Sequence, residues 1–227
     1  MSLFASSRKI KVVDFHNLKD KISAWNHGRI HPGYSVLPQA ISFSSDFWAR
    51  IKEIYRHTTA DKHERAVTIW WAGGEVILAD SIRGQESKVN IPKQQIRLEY
   101  KRTSNPANAE RVVTLNGKIV SKRNVSWAKV PKREKLRVQY LFNMHTHPPH
   151  TQGYSFFSLT DIKSFIKSSA SITGLITDEL WILMKTSLTP KVLQNIEESD
   201  INVHYLKNTL RMRVYKGEFG KSVITVQ

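Results

Sequence analysis

The residues whose types and spacing best suit chemistry lie between His145 and Asp161, in the stretch "HTHPPHTQGYSFFSLTD". His145 and His147 end an alternating apolar run, and side chains two residues apart in an extended chain point to the same side. Both imidazoles can therefore face one point beyond the end of a predicted strand. Asp161 falls in the first turn of a predicted helix, and it adds a carboxylate if that helix folds back over the strand end. Two histidines and one carboxylate leave a fourth position open, which is typical of hydrolytic zinc sites.

The same residues have an ordinary explanation, which stays open at this point. Ser158 and Asp161 have the spacing of a capping box, with Ser158 as the N-cap and an acid at the third helical position. Pairs of histidines are also common on protein surfaces. The two explanations are compatible, because a cap fixes the helix start and so positions Asp161 in advance.

Two elements must position these residues. The first is a central strand, buried on both faces, that carries the histidines, because Leu141 falls on the face opposite to the alternating set. That set consists of Leu136, Val138, Tyr140, Phe142 and Met144. The second is a helix over "SLTDIKSFIKSS", whose Ile162, Phe165 and Ile166 have helical spacing.

Further elements complete an α+β pattern. Helical spacing from Phe47 to Tyr55 predicts a helix over about 45–58, capped by Ser44 or Ser45. Gly73-Gly74 and Asn116-Gly117 each predict a hairpin. Near the end of the chain we predict a helix over "TPKVLQNIEES" and short strands at "NVHYL" and "LRMRVY". This order indicates an α+β fold, with a mixed β-sheet flanked by helices.

Composition limits the classes of function. The 227 residues contain no cysteine, so disulfides, thiolate metal sites and cysteine nucleophiles are excluded. The formal charge of +16 indicates nucleic acid, anionic lipid or acidic protein as partners, or simply a basic solvated surface. No apolar run reaches the roughly 18 residues of a membrane span. We therefore expect a cytoplasmic protein with no membrane partner.

The joint pattern resembles the JAB/MPN metalloproteases, whose JAMM signature is an upstream Glu, then H-[ST]-H-P, then S-x-x-D. "HTHP" matches it at residues 145–148 and "SLTD" at 158–161. The spacer "PHTQGYSFF" is about two residues longer than is usual in the family, and loops tolerate such extension when their ends stay fixed. The resemblance covers roughly residues 45–186 and implies a cytidine-deaminase-like core.

The resemblance also implies roles for individual residues. His145, His147 and Asp161 would hold Zn²⁺, and Ser158 would hydrogen-bond the oxyanion of the reaction. Glu64 matches the position of the general base, and Glu75 is the competing residue. The implied activity is that of a hydrolase that cleaves a peptide or isopeptide bond of a protein substrate. In the family such substrates are ubiquitin-like or sulfur-carrier proteins, so the chain would be a deubiquitinase-like isopeptidase.

The remaining regions leave alternatives open. Residues 1–40 are expected to form an N-terminal arm that packs on the core, and residues 41–227 form the metalloprotease domain. A basic insert at about 83–135, with Trp127 among its cations, could grip an acidic protein or a phosphate backbone, or be a solvated hairpin. His150 and His63 are ambiguous. The alternative function is a basic nucleic-acid- or protein-binding module with a non-catalytic metal site, and a metal-free domain is a third possibility.

Overall fold

A computed structural model describes residues 12–28, 30–86, 88–89, 94–130, 138–149, 155–193 and 196–226. Its strands form a ten-stranded mixed sheet and a separate three-stranded antiparallel sheet. The main helices are α1 (Phe15–Gly28), α2 (Ser45–Asp61) and α3 (Leu159–Lys167). The α+β class predicted from the sequence is confirmed, with few helices against a large curled sheet. No helix in the described part of the chain is long and apolar enough to cross a membrane.

The strands range from two to nine residues in length. They are β1 (Val12–Asp14), β2 (Ala40–Ser42), β3 (Arg65–Ala72), β4 (Glu75–Leu78), β5 (Ile82–Arg83), β6 (Ile96–Arg102), β7 (Asn108–Leu115), β8 (Lys118–Ser126), β9 (Val138–Thr146), β10 (Ile172–Ile176), β11 (Glu179–Met184), β12 (Arg213–Glu218) and β13 (Val223–Thr225). In the large sheet the order is β1-β2-β13-β12-β11-β10-β9-β3-β4, and β5 also pairs with β3. The strands β6, β7 and β8 form the second sheet.

The central strand β9 is antiparallel to β3 and parallel to β10. Leu141, Phe142 and Met144 are buried, so both of its faces are covered, as the sequence predicts. Beyond its end, the His147 N–H still donates to the Ile176 carbonyl at 3.2 Å. His145 at the end of β9 and His147 directly after it are therefore held beside the end of β10 and the start of β3.

The helices α1 and α2 pack on the same core as β9. Ser44 caps α2, since its Oγ accepts the Phe47 N–H at 3.2 Å, and the helix extends three residues beyond its predicted end. Its inward residues are Phe47, Trp48, Ile51, Ile54 and Thr58. Phe15, Leu18 and Ile22 of α1 lie in the same core cluster. The sequence did not predict α1.

Both predicted hairpin turns are present. Gly73 and Gly74 have φ of 58° and 94°, and they join β3 to β4. Asn116 and Gly117 have φ of 49° and 81°, so both are left-handed as a two-residue type I′ turn requires, and they join β7 to β8. The second sheet formed by this hairpin and β6 lies within the basic insert.

One buried ion pair fastens the second sheet to the first. Arg111 of β7 is buried, and its Nη2 lies 2.6 Å from Glu75 Oε1 at the start of β4. The same guanidinium donates to the Gly73 carbonyl. A Cβ at Gly73 would lie 2.7 Å from Arg111 Cδ, so this turn needs glycine for space as well as for its positive φ. Val113 adds apolar contact with the end of β3.

Two predictions near the end of the chain are wrong. The helix predicted over "TPKVLQNIEES" is absent from its described residues, which form bends and a 3-10 turn at Glu198–Asp200, while residues 194–195 lie outside the described ranges. Val192 is 71% exposed, so no core covers the apolar side of such a helix. The predicted strand "NVHYL" is instead a π-helical turn at Tyr205–Thr209. Asn202 begins it, because its side chain accepts the Tyr205 N–H at 2.9 Å.

Candidate metal centre

Three parts of the fold meet where the strand β9 of the large sheet ends and the strand β3 begins. β9 ends there with His145 and His147 beside it, α3 begins there with Asp161 in its first turn, and Glu64 immediately precedes β3. Because β3 is antiparallel to β9, the start of β3 lies beside the end of β9, and Ala66 pairs with His145. Glu64 and His145, which are 81 positions apart in sequence, therefore come together through strand pairing.

The donor atoms of the two histidines and the aspartate converge. His145 Nε2 lies 3.1 Å from His147 Nε2 and 3.2 Å from Asp161 Oδ1, while His147 Nε2 lies 3.4 Å from Asp161 Oδ2. A tetrahedral zinc ion with ligands at about 2.0–2.1 Å separates neighbouring donors by about 3.3–3.4 Å. The three side chains thus have the spacing of three corners of such a site, and they could hold a metal ion.

The helix cap and the candidate ligand are the same structure. Ser158 Oγ accepts the Asp161 N–H at 3.1 Å, and Asp161 Oδ2 accepts both the N–H and the hydroxyl of Ser158, each at 2.8 Å. The capping box predicted from the sequence is therefore present. It turns Oδ1 toward His145. The hydroxyl hydrogen of Ser158 is directed at Asp161, so a hydrogen bond from Ser158 to a substrate oxyanion requires that hydroxyl to rotate.

The surroundings keep Asp161 ionised. Its burial opposes the charged form, but the charges and hydrogen bonds of His145 and His147 outweigh burial and hold the pKa of Asp161 far below its usual range. A divalent cation also needs this carboxylate ionised, and it would take the place of the histidine charges, because imidazoles bind a metal in their neutral form.

Glu64 lies next to this group without belonging to it. Its Oε1 is 3.9 Å from His147 Nε2, and the residue is 8% exposed. Burial raises the pKa of Glu64 to about 7, with the charge of Asp161 adding to the effect and that of His147 opposing it. The backbone of Glu64 is fixed by hydrogen bonds of 2.8 Å to Gln85 and Gly84. A carboxyl group with a pKa near neutrality can both accept and return a proton.

Sequence reasoning missed the groups that hold Glu64 in place. Arg65 donates twice to Asp61, at 2.8 and 2.6 Å, and Arg83 Nε adds a third bond to Asp61 at 2.9 Å. The Arg65 N–H also donates to Thr146 Oγ1 at 2.8 Å. Asp61 is the last residue of α2 and Arg65 is the first of β3, so their spacing of four residues is not a helical pair, and nothing local predicts these bonds.

The other candidate residues lie away from the three ligands or outside the described chain. Glu75 stands at the opposite end of β3, where Arg111, Arg123 and Ser121 all contact its carboxylate. The His63 ring contacts Arg83 and the Asp61 carbonyl. His150 lies outside the described residues.

Comparisons with known proteins add nothing to this geometry. No protein-family model matches the chain. Neither the curated proteins nor the solved structures contain a match. Any inference about function therefore depends on the site itself and on the sequence motif.

Proposed function

We propose that this chain is a cytoplasmic zinc-dependent metallopeptidase of the JAB/MPN kind, with a cytidine-deaminase-like core, that hydrolyses a peptide or isopeptide bond. The convergence of His145, His147 and Asp161 at tetrahedral donor spacing, beside a carboxyl group of near-neutral pKa, carries the proposal. Zinc is the proposed ion because two imidazole nitrogens and one carboxylate oxygen, without thiolate, suit it and leave one position open.

Each residue has a defined part in this proposal. Bound zinc would lower the pKa of a coordinated water and polarise the scissile carbonyl. Glu64 accepts the proton of the attacking water and returns it to the leaving amine, and its position 3.9 Å from a ligand nitrogen suits that transfer. Asp161 supplies negative charge, and Ser158 holds it in orientation. In this arrangement the main role of Ser158 is to orient the ligand Asp161. The hydrogen bond to the oxyanion that the resemblance implies is a second role of the same hydroxyl.

The substrate class follows from the resemblance. Family members act on ubiquitin-like or sulfur-carrier proteins, so we propose a protein or peptide substrate of that kind. The alternative, a binding module for nucleic acid with a non-catalytic metal site, would rely on the basic second sheet. Lys122 pairs with Glu110 and Arg123 with Glu75, at 2.9 and 3.1 Å, so part of the positive charge of this sheet is neutralised. Other cations of this sheet are exposed, namely Arg97, Lys101, Arg102 and Lys118. The experiment below therefore has to separate the two functions.

The test combines metal content with cleavage. The full-length chain, Asp161→Ala and Glu64→Gln are purified, analysed for zinc, and incubated with a lysine-linked ubiquitin dimer and a mixed peptide library. We expect about one zinc per chain in the wild type and in Glu64→Gln, and little in Asp161→Ala. Only the wild type should cleave.

Two outcomes would contradict the proposal. One is a zinc content that does not depend on Asp161. The other is cleavage by Glu64→Gln at the rate of the wild type, which would remove Glu64 as the base. DNA or RNA binding that weakens with salt and is unchanged in Asp161→Ala, without any cleavage, would instead support the binding module.

A further inference from the structure

Exposed aliphatic side chains are concentrated in two loops far from the metal centre. Among the large hydrophobic residues that the structure describes, the four with the largest exposed fractions are Ile30 at 72%, Val192 at 71%, Leu188 at 66% and Val36 at 64%. They lie in residues 30–36, between α1 and β2, and in residues 186–192, after β11. We name these two segments the apolar loop pair. Single exposed aliphatic residues are ordinary, but a cluster of them marks an interaction surface.

The two loops contact each other directly. The Ser187 N–H donates to the Pro32 carbonyl at 2.8 Å, which joins the segments directly. The Arg213 guanidinium lies 4.4 Å over the Tyr34 ring. β11 begins beside the strand ends that carry the metal centre and runs away from them. Residues 186–192 therefore lie at the opposite ends of the strands.

Positive side chains border the apolar loop pair. Lys191 is exposed within it, and Arg211 is exposed beside it, since the Thr186 hydroxyl donates to the Arg211 carbonyl at 2.7 Å. Lys167 is exposed at the end of α3, next to Ser168, whose carbonyl accepts a bond from Lys185. The segments 21–44 and 180–196, within which the two loops lie, contain no Asp or Glu. An occupant that combines apolar and negative groups is therefore complementary.

We propose that the apolar loop pair docks on the surface of a membrane that contains anionic lipid. Aliphatic loop tips that enter the headgroup layer, with lysine and arginine beside them, are the two features that such binding needs. Two clefts, of 640 and 680 Å³, are lined by other residues, and insertion of loop tips into a headgroup layer needs no cleft. Surface docking needs no spanning helix, and the expectation of no membrane partner came only from the lack of an apolar span.

The experiment is vesicle co-sedimentation of the full-length chain. Phosphatidylcholine vesicles are compared with vesicles that also contain phosphatidylserine. The test variants are Leu188→Ser/Val192→Ser, Val36→Ser in the other loop, and Lys191→Glu. The matched controls are Ile119→Ser and Lys118→Glu, which make the same kinds of change in exposed residues of β8. Thermal unfolding of every variant establishes that the fold is retained.

We expect binding that requires phosphatidylserine, with affinity about tenfold lower in the double variant and clearly lower in the two single variants. The controls should bind like the wild type. The proposal is overturned if the wild type does not bind, or if controls and test variants lose affinity equally, because the overall charge alone would then explain binding. It is also overturned if the loop variants abolish self-association in light scattering without changing lipid affinity. None of these outcomes depends on the metal centre.

Discussion

The hydroxyl oxygens of Thr58 and Thr146 lie 2.7 Å apart, and both residues are fully buried. Thr146 stands between the two candidate histidine ligands, on the opposite face of β9, and it also accepts the Arg65 N–H. These two bonds join α2, the start of β3 and the end of β9 directly behind the site. They fix Glu64 relative to the histidines, and they give a physical reason for a hydroxyl residue between the histidines of "HTH".

This relationship predicts the behaviour of two substitutions. Thr146→Val keeps the shape but leaves the Arg65 N–H without its acceptor and the Thr58 hydroxyl without its partner, so the free energy of unfolding should fall by about 2 kcal/mol or more. Thr146→Ser keeps the hydroxyl and should lose much less. Urea denaturation of both variants measures the difference. Equal stability of Thr146→Val and the wild type would show that these bonds do not matter.

The cap of α3 should contribute to both stability and metal affinity, whereas the cap of α2 should contribute to stability alone. Ser158→Ala removes the hydroxyl that holds Asp161 Oδ2, so zinc affinity measured by chelator competition should fall about tenfold. Stability should also fall, by about 1 kcal/mol, through the lost cap. Ser44→Ala is the matched control, because Ser44 caps α2 with the same chemistry away from the three ligands. It should lower stability and leave zinc affinity unchanged; an equal effect on affinity would mean that capping alone is responsible.

Lys185 predicts a rise of stability with pH. Its side chain is buried and donates to the Ser168 carbonyl, and burial lowers its pKa from 10.5 to about 8. Between these two values the unfolded chain binds more protons than the folded chain, so stability increases with pH and the cost of the buried charge disappears. Relative to Lys185→Met, the wild type should gain about 1–3 kcal/mol between pH 7 and pH 10. Unfolding curves of the two proteins that change in parallel with pH would contradict the shift.

Substitutions at Gly73 and Gly117 separate the stability cost of steric crowding from the cost of a positive φ. Gly73→Ala meets both a positive φ and the Arg111 side chain, whereas Gly117→Ala meets a positive φ of 81° with no atom within 4 Å of the added Cβ. Gly117→Ala should therefore cost about 1 kcal/mol of stability through backbone strain. Gly73→Ala should cost clearly more, because Arg111 must move and weaken its buried pair with Glu75. Similar losses in the two variants, measured by thermal unfolding, would show that Arg111 adapts freely.

Local patterns predicted the parts of the site that depend on neighbours in sequence. Alternation gave β9 and the shared direction of His145 and His147, and the spacing of Ser158 and Asp161 gave the cap. The pair of Thr58 and Thr146 joins residues that are 88 positions apart, so no local pattern reveals it. The strand predicted at "NVHYL" is wrong for a local reason. The side chain of Asn202 directs the backbone into a turn, although the apolar residues around it alternate as in a strand.

The cap on Asp161 has a consequence for how a cation would be captured. One carboxylate oxygen is already immobilised by Ser158 when the chain folds, so the other is aimed before an ion enters. The rotamer entropy of this ligand is lost during folding rather than during association. Metal binding should then require no rearrangement of Asp161, and its rate should be limited by the dehydration of the ion.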